Sequence, residues 1–244
     1  MARTCPFGLC DGSGLLVDER SRTSSFCRCR DQVVATARAR GLSAVIPRKY
    51  RGVSFDRPPV TSIDARIVSQ VRRFTRDLDD ELDSGRGLWF FGPHGTGKTT
   101  LAMIVSKAAL DLGRTVAIYS LPRLLAEIRT TFDDDSASSY TELIDRLTVV
   151  DLLHIDDVGA EKTSPWVLEQ LYAIVNARYE DERSVMVTTN LIESDELAEQ
   201  VGRRTVSRLE EMCTILPVVG EDLRKQVWRD DEPDEQSSFG RHVA

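Results

Sequence analysis

The run Gly92-Pro93-His94-Gly95-Thr96-Gly97-Lys98-Thr99 constrains this chain more than any other stretch. Its spacing is G-x-x-x-x-G-K-[ST], a loop whose glycines let the backbone wrap a polyanion with its N–H groups turned inward. Such a loop works only between a strand and a helix. Both flanks are present: Leu88-Trp89-Phe90-Phe91 is a short apolar run, and residues 100–112 form an apolar helical stretch. A helix opening at the loop adds the favourable end of its dipole. In this setting Lys98 is placed to neutralise β/γ-phosphates and the Thr99 hydroxyl to hold Mg²⁺. The candidate nucleotide contacts are Gly92, Pro93, His94, Gly95, Thr96, Gly97, Lys98, Thr99 and Thr100.

Downstream, apolar strands alternate with amphipathic helices, which implies a parallel sheet covered on both faces. Strands are expected at 87–91, 116–120, 150–155, 184–189 and 213–219, and helices at 62–82, 98–112, 121–131, 139–147, 165–181 and about 194–210. The strands read as nearly continuous apolar runs, as a sheet buried on both faces requires. With 244 residues there is room for one sizeable core and a small appendage. The division expected is a cysteine-rich module with a short helix at 31–42 (residues 1–42), a linker at 43–60, an ATPase domain at 61–228 and an acidic disordered tail at 229–244. Pro47, Pro58 and Pro59, with Tyr50 and Phe55 among them, mark the linker as a strap that packs on the following domain.

The net charge is −7 and unevenly spread: residues 1–60 carry 11 Lys/Arg against 5 Asp/Glu, the remainder 21 against 34. An acidic body is a poor match for duplex DNA, whose binding rests on phosphate neutralisation, but leaves room for a local single-strand channel. It also suits a protein partner. No apolar run approaches the roughly 18 residues of a membrane span. Residues 1–6 (Met-Ala-Arg-Thr-Cys-Pro) lack an apolar signal region, so the expected location is the cytoplasm, away from membrane.

The second half of the phosphate site is expected at Leu152-Leu153-His154-Ile155-Asp156-Asp157, an apolar strand ending in two carboxylates. The first carboxylate can help hold Mg²⁺ and the next can orient an attacking water. An open α/β sheet binds its ligand at the carboxyl ends of its strands. His154 reads as a packed strand residue. Asn190 ends the next apolar strand and could bond the attacking water or γ-phosphate. Arg203, Arg204, Arg208 and Arg224 read, on sequence alone, as solvated surface arginines.

Cys5, Cys10, Cys27 and Cys29 crowd into a segment too small to fold by burial, while Cys213 stands apart in a strand as a small buried hydrophobe. Four thiolates on Zn²⁺ would supply the missing folding energy. The x₄ and x₁ spacings differ from the commoner C-x₂-C, so a disulfide pair or free thiols stay open beside zinc.

The order GPHGTGKTT, LLHIDDVGAEK, SVMVTTN and GRRTVSRL resembles the AAA+ ATPases. More narrowly, IPRKYRGVSFD (46–56), LLAEIRTTFDDDS (124–136), IDDVGAEKTSPWVLEQLYAIVNARYE (155–180) and VGRRTVSRLEE (201–211) are similar to the DnaC/DnaI-type bacterial or phage replicative helicase loaders. The resemblance implies ATP, Mg²⁺ and Zn²⁺ as cofactors, slow ATP hydrolysis, and the replicative helicase hexamer, single-stranded DNA and other copies of the chain as partners. It implies that Lys98, Thr99, Asp156 and Asp157 serve the phosphates and metal. Asn190 is then the γ-phosphate sensor, Arg224 a second sensor, and Arg208 an arginine finger for the neighbouring subunit, with Arg204 as the alternative. It places a single-strand DNA surface at Arg129, Phe132, Ser164 and Trp166, with core packing the competing role for Phe132 and Trp166. It assigns residues 1–42 to helicase binding, with arginines 20, 22, 28 and 30 as a basic face. One departure matters: most AAA+ proteins have Glu where Asp157 stands, and the shorter Asp suits a slow switch or an ATP-locked binder that does not turn over. An IstB-type transposase helper, which shares the ATPase core, is the other reading.

Overall fold

A computed structural model of the protein describes residues 5, 7–10, 15–18, 23–30, 46–133, 137–159, 164–192 and 194–224. The expected helix at 31–42, the expected tail at 229–244 and arginines 20 and 22 lie outside the described residues.

The order of elements is β1 (Leu15–Asp18), β2 (Thr23–Phe26), a short helical turn at Arg48–Tyr50, α1 (Ala65–Arg76), α2 (Leu78–Asp83), β3 (Gly87–Phe91), α3 (Lys98–Asp111), β4 (Val116–Ser120), α4 (Leu121–Asp133), α5 (Ala137–Val149), β5 (Leu152–Val158), α6 (Pro165–Glu180), β6 (Ser184–Thr189), α7 (Ser194–Val201), α8 (Arg203–Met212) and β7 (Cys213–Pro217). The main sheet runs β4-β5-β6-β3-β7 with every pairing parallel. β3, which feeds the glycine loop, is therefore internal, and β5 lies one strand away across β6. β1 and β2 form a separate antiparallel hairpin that the polar sequence of this region does not signal.

The sheet divides the core into two layers because successive strand side chains point to opposite faces. Leu88, Phe90, Leu152, Met186 and Leu216 pack with α1 and α3. Trp89, Leu153, Ile155, Val185 and Val187 pack with α4, α5, α6 and α8. On β5 the even-numbered residues 152, 154 and 156 thus face α3, the helix that begins at the phosphate loop. That parity brings Asp156 to the loop.

Two expected helices are divided. The stretch 62–82 becomes a turn at Val60–Ser62 followed by α1 and α2, because Asp77 (φ −96°, ψ 21°) leaves the helical well between them. α1 begins at Asp64, whose carboxylate accepts from the Arg66 amide at 2.7 Å, and buries Ile67, Val71 and Phe74 at helical spacing. The stretch 194–210 becomes α7 and α8, separated by Gly202 at φ 91°, a left-handed angle that a side chain resists. β5 extends past Ile155 through an irregularity to pair Val158 with Thr189. β7 stops at Pro217.

Arg178 closes the base of this layer. It is fully buried, and its guanidinium donates to the carbonyls of Leu147, Thr148, Val150, Asp151 and Ser184 at 2.7–3.3 Å. Two of those carbonyls, of Leu147 and Thr148, belong to the last turn of α5, where a helix leaves acceptors unmet and favours a cation. Burial pulls its pKa down to about 9, with Arg183 adding to the drop and Asp151 opposing it.

Candidate functional site

The glycine loop crosses from β3 to α3 where the sequence places it. Gly97 has φ 97°, and a Cβ there would come within 2.5 Å of Ile63 Cδ1, so the loop needs glycine for both conformation and space. The segment after β7 fastens the loop from outside: the Val218 amide donates to Phe91 O at 2.8 Å and the Leu223 amide to Gly95 O at 3.0 Å. Lys98 is buried at the first turn of α3 and folds back onto the loop's own carbonyls, donating to Gly92 O at 2.7 Å and Pro93 O at 2.6 Å. Burial lowers its pKa to about 8; Asp157 and Asp156 work against that drop, and Arg224 adds to it.

Asp156 and Asp157 lie beside this loop. The Thr99 hydroxyl donates to Asp156 Oδ1 at 2.9 Å, joining residues 57 positions apart. The Thr188 hydroxyl donates to the same oxygen at 2.6 Å and accepts from the Asp157 amide at 3.0 Å. Burial opposes ionisation of Asp156, but the His154 ring and the hydroxyls of Thr188 and Thr99 outweigh it and hold the carboxyl below the usual carboxylate range. Asp157 sits at φ 57°, a left-handed backbone uncommon for a residue with a side chain. Asn190 donates from Nδ2 to Asp157 Oδ1 at 3.4 Å. Lys98, Thr99, Asp156, Asp157 and Asn190 thus form one constellation able to hold a triphosphate and a hard divalent cation at oxygen ligands.

One residue of this site carries no recognisable motif. Thr188 is fully buried and through one hydroxyl joins the Asp156 carboxylate to the Asp157 backbone amide. Its only sequence signal is a polar residue near the end of an apolar strand. Tyr50, from the linker, has its pKa raised by burial, with Asp156 and Asp157 adding and Arg224 opposing. Arg224 itself is exposed, with its amide on Asp222 Oδ1 at 3.0 Å.

The remaining arginines stand elsewhere. Arg208 of α8 lies over the Tyr179 ring of α6 at 4.2 Å, 3.4 Å from Asn176 Oδ1 and 3.9 Å from Glu211. Arg204 is exposed and 5.9 Å from the Tyr172 ring. Arg203 is exposed, 3.8 Å from Asp195. Of the four residues expected on a DNA surface, Arg129 and Trp166 meet, with the guanidinium 4.8 Å from the ring. Trp166 is half-buried and also packs against the core. Ser164 caps α6 by accepting from the Val167 amide at 3.3 Å. Phe132 falls in the last turn of α4, and its side chain lies outside the described residues.

The cysteines converge. The sulfurs of Cys5, Cys10, Cys27 and Cys29 all lie within 4.8 Å of one another, with Cys5–Cys27 at 3.8 Å and Cys10–Cys29 at 3.4 Å. Four sulfurs at the usual ~2.3 Å from a tetrahedral zinc stand roughly 3.8 Å apart. Each pair is turned by a tight bend, Gly8 N to Cys5 O and Arg30 N to Cys27 O, both 2.9 Å. None of the five cysteines is in a disulfide. Desolvation resists ionisation of Cys5, but the amides of Leu9, Cys10 and Phe7 and the Cys29 thiol outweigh it and lower its pKa to about 6. Cys29 is pushed up by desolvation and by the other three thiols. Four sulfurs at this spacing, with the Cys5 thiol lowered and the Cys29 thiol raised, are a donor set that a Zn²⁺ ion would satisfy. Buried Cys213, with its thiol raised by burial alone, is the packed residue expected. His154 is also buried as expected, though not among apolar groups alone.

Comparison with known proteins bears on the same region. The chain is 28% identical over 142 residues to the replicative helicase loader DnaC of Escherichia coli (strain K12), an alignment covering 58% of this chain and 56% of that protein. The crystal structure of the DnaC helicase loader superposes with a TM-score of 0.61 at 26% identity, over 71% of this chain and all of that one. The crystal structure of DnaI shares the fold, with a TM-score of 0.58 at 20% identity over 73% of this chain and 94% of that one. The five-stranded parallel sheet and its loop are accordingly of AAA+ type. Residues 36–230 match the model of the IstB-like ATP binding protein family. Since that span contains the phosphate loop, both carboxylates and Asn190, the chain belongs to the IstB-like ATP-binding proteins, with the helicase loader DnaC among its relatives.

Proposed function

We propose that this protein is an ATP-controlled loader that binds a replicative DNA helicase and helps place it on single-stranded DNA. The observation that carries this is the assembled site of Lys98, Thr99, Asp156, Asp157 and Asn190 within a chain similar to the loader DnaC. In this reading residues 61–228 are the ATPase domain, 43–60 the strap packed on it, 1–42 the helicase-binding zinc module with arginines 20, 22, 28 and 30 as its basic face, and 229–244 an acidic tail. No helix among the described residues is long and apolar enough to cross a membrane, and we place the protein in the cytoplasm.

Gly92 to Thr100 wrap the triphosphate, and Lys98 leaves the loop carbonyls for the β/γ-phosphates. Thr99 and Asp156 hold Mg²⁺, which when bound neutralises phosphate oxygens. Asp157 orients the attacking water and Asn190 contacts the γ-phosphate. Arg224 is the second sensor. Arg208, placed away from its own loop, serves the site of a neighbouring copy, where an arginine supplied in trans stabilises charge on the phosphoryl oxygens. Asp157 is one methylene shorter than glutamate, which supports slow turnover suited to a release switch. Arg129 and Trp166 supply the cation and aromatic face that bind single strands without regard to sequence. Cys5, Cys10, Cys27 and Cys29 hold zinc.

The test is co-purification with the replicative helicase of the same source, with ATP, with ADP and after zinc chelation. A complex lost on chelation or on removal of residues 1–42 is expected. No complex under any condition would refute the loader reading. The family match favours the second reading, an ATP-dependent helper of a transposase, which predicts capture of the transposase instead.

A further inference from the structure

Arg208 on α8 meets three side chains. Its Nε donates to Asn176 Oδ1 at 3.4 Å, its guanidinium carbon lies 4.2 Å from the centre of the Tyr179 ring, and its Nη1 stands 3.9 Å from Glu211 Oε2. Arg204, one turn earlier, is exposed and 5.9 Å from the nearest ring, that of Tyr172. A long charged side chain keeps many rotamers unless neighbours remove them. Around Arg208 those neighbours are themselves fixed. Asn176 Nδ2 donates to Glu180 Oε1 at 2.9 Å, which turns Oδ1 towards Arg208, and the Tyr179 hydroxyl donates to Glu211 Oε1 at 2.7 Å.

Glu211 lies three residues beyond Arg208 on the same helix, a spacing at which opposite charges pair. The two stop at 3.9 Å, outside hydrogen-bond distance, while the carboxylate takes the Tyr179 hydroxyl from α6 instead. That bond raises the Tyr179 pKa, with burial adding and Arg208 opposing, so the hydroxyl stays a donor at neutral pH. A closed Arg208–Glu211 pair would occupy the terminal nitrogens of the guanidinium, the edge that also fits phosphate oxygens. With Nε on Asn176 and a ring beneath, that edge is left open.

We propose that Tyr179 is a positioning residue for Arg208: its ring seats the guanidinium, and its hydroxyl holds Glu211 back so that the terminal nitrogens stay free for phosphoryl oxygens bound by a neighbouring copy. Packing between α6 and α8 needs the ring alone. The hydroxyl acts only on Glu211, and through Glu211 on Arg208. The inference rests on the reading of Arg208 as an arginine supplied in trans.

The test mixes full-length chains in pairs and measures ATP turnover with Mg²⁺. K98A keeps Arg208 but loses its own phosphate site, and R208A keeps its site but lacks the arginine, so the mixture reads Arg208 of the K98A chain alone. Adding Y179F to the K98A chain frees Glu211 to pair with Arg208. The kcat of the mixture should then fall about fivefold, the worth of one exposed charge pair, with KM unchanged. Adding E211Q to that same chain should restore it. Y179F carried instead by the R208A chain, where the ring has no arginine to seat, should leave the recovered turnover as it was. Y179L in the K98A chain removes the ring as well, so turnover should fall further and E211Q should restore only part. A K98A/Y179F mixture within about 1.5-fold of the K98A mixture, a loss that E211Q does not relieve, or an equal loss with Y179F in either chain overturns the role of Tyr179 alone. K98A and R208A that fail to recover turnover together overturn the trans reading of Arg208 along with it. If Y179L does not fold, Y179F and its rescue by E211Q decide the matter.

Discussion

Replacing Thr188 by valine keeps the shape of a fully buried side chain and deletes the hydroxyl that joins the Asp156 carboxylate to the Asp157 backbone amide. The bond given to Asp156 at 2.6 Å is charge-assisted, worth roughly 1.5–3 kcal/mol, and the bond taken from the Asp157 amide at 3.0 Å is worth about 1 kcal/mol. The second bond also helps hold Asp157 at φ 57°, a backbone that costs an L-residue roughly 1–2 kcal/mol and persists only where neighbours over-determine it. T188V should therefore lose about 2–4 kcal/mol of stability, which for a chain of this size lowers the melting midpoint by about 5–15 °C. Its effect on turnover should be larger in proportion. A displacement of about 1 Å in a positioned group costs on the order of 10²-fold in rate, and here the Asp156 carboxylate and the Asp157 backbone lose the same support. The assay is steady-state ATP turnover with excess Mg²⁺, run beside thermal unfolding and ADP binding without Mg²⁺. Binding of ADP, which the proposed reading assigns to Lys98 and the loop backbone, should hold. T188S restores the hydroxyl and should recover most of both losses. T188V with turnover within about twofold of wild type and an unmoved midpoint would refute the reasoning.

Asp156 titrates below the usual carboxylate range, so its contribution to stability is complete above the unfolded value of about 3.9 and is lost as pH falls through its lower folded value. T188V, which brings those two values together, should move acid unfolding to higher pH, read by circular dichroism. If Arg208 acts in trans, K98A and R208A should each be inactive alone and recover turnover when mixed; additive inactivity across all ratios would remove Arg208 from that role. D157E should raise turnover several-fold with nucleotide affinity unchanged, and a fall would mean that the left-handed backbone at this position, which Glu tolerates less well than Asp, outweighs the longer reach. Native mass spectrometry should find one zinc per chain, lost in C27S, with melting of the ATPase domain unaffected; a metal-free wild type would refute the cluster's assignment. R178M should cost about 3–5 kcal/mol, as for breaking a buried charge network, because five backbone carbonyls lose their donor.

The strands at 87–91, 116–120 and 184–189 coincide with the apolar runs read from the chain, since strands buried on both faces leave no polar alternation to blur their limits. The phosphate loop was legible for a related reason: a backbone that wraps phosphate can be built from few residue types. Where the reading missed, local pattern was outweighed by single backbone positions or by pairing across the sheet. Gly202 ends α7 inside an unbroken amphipathic pattern, and Asp77 divides α1 from α2. β5 runs on to Val158 because β6 extends beside it. The β1–β2 hairpin has too little apolar alternation to announce itself, but it brings Cys5 and Cys10 against Cys27 and Cys29.

The sequence by itself determined the fold class, the phosphate loop, the acidic strand end, Asn190 and the four cysteines as a group, because each depends on residue type at short spacing. Only the tertiary structure decided that Thr188 joins the Asp156 carboxylate to the Asp157 backbone, that Ser164 is used as a helix cap and that the His154 ring stands between Ser106 and Asp156. Those relations link groups from different strands and helices, and the parity of β5 and the order of the parallel sheet bring them together. A buried hydroxyl or imidazole acquires its role from the donor or acceptor it meets there, and that partner is set by packing across the sheet rather than by the residues beside it in the chain.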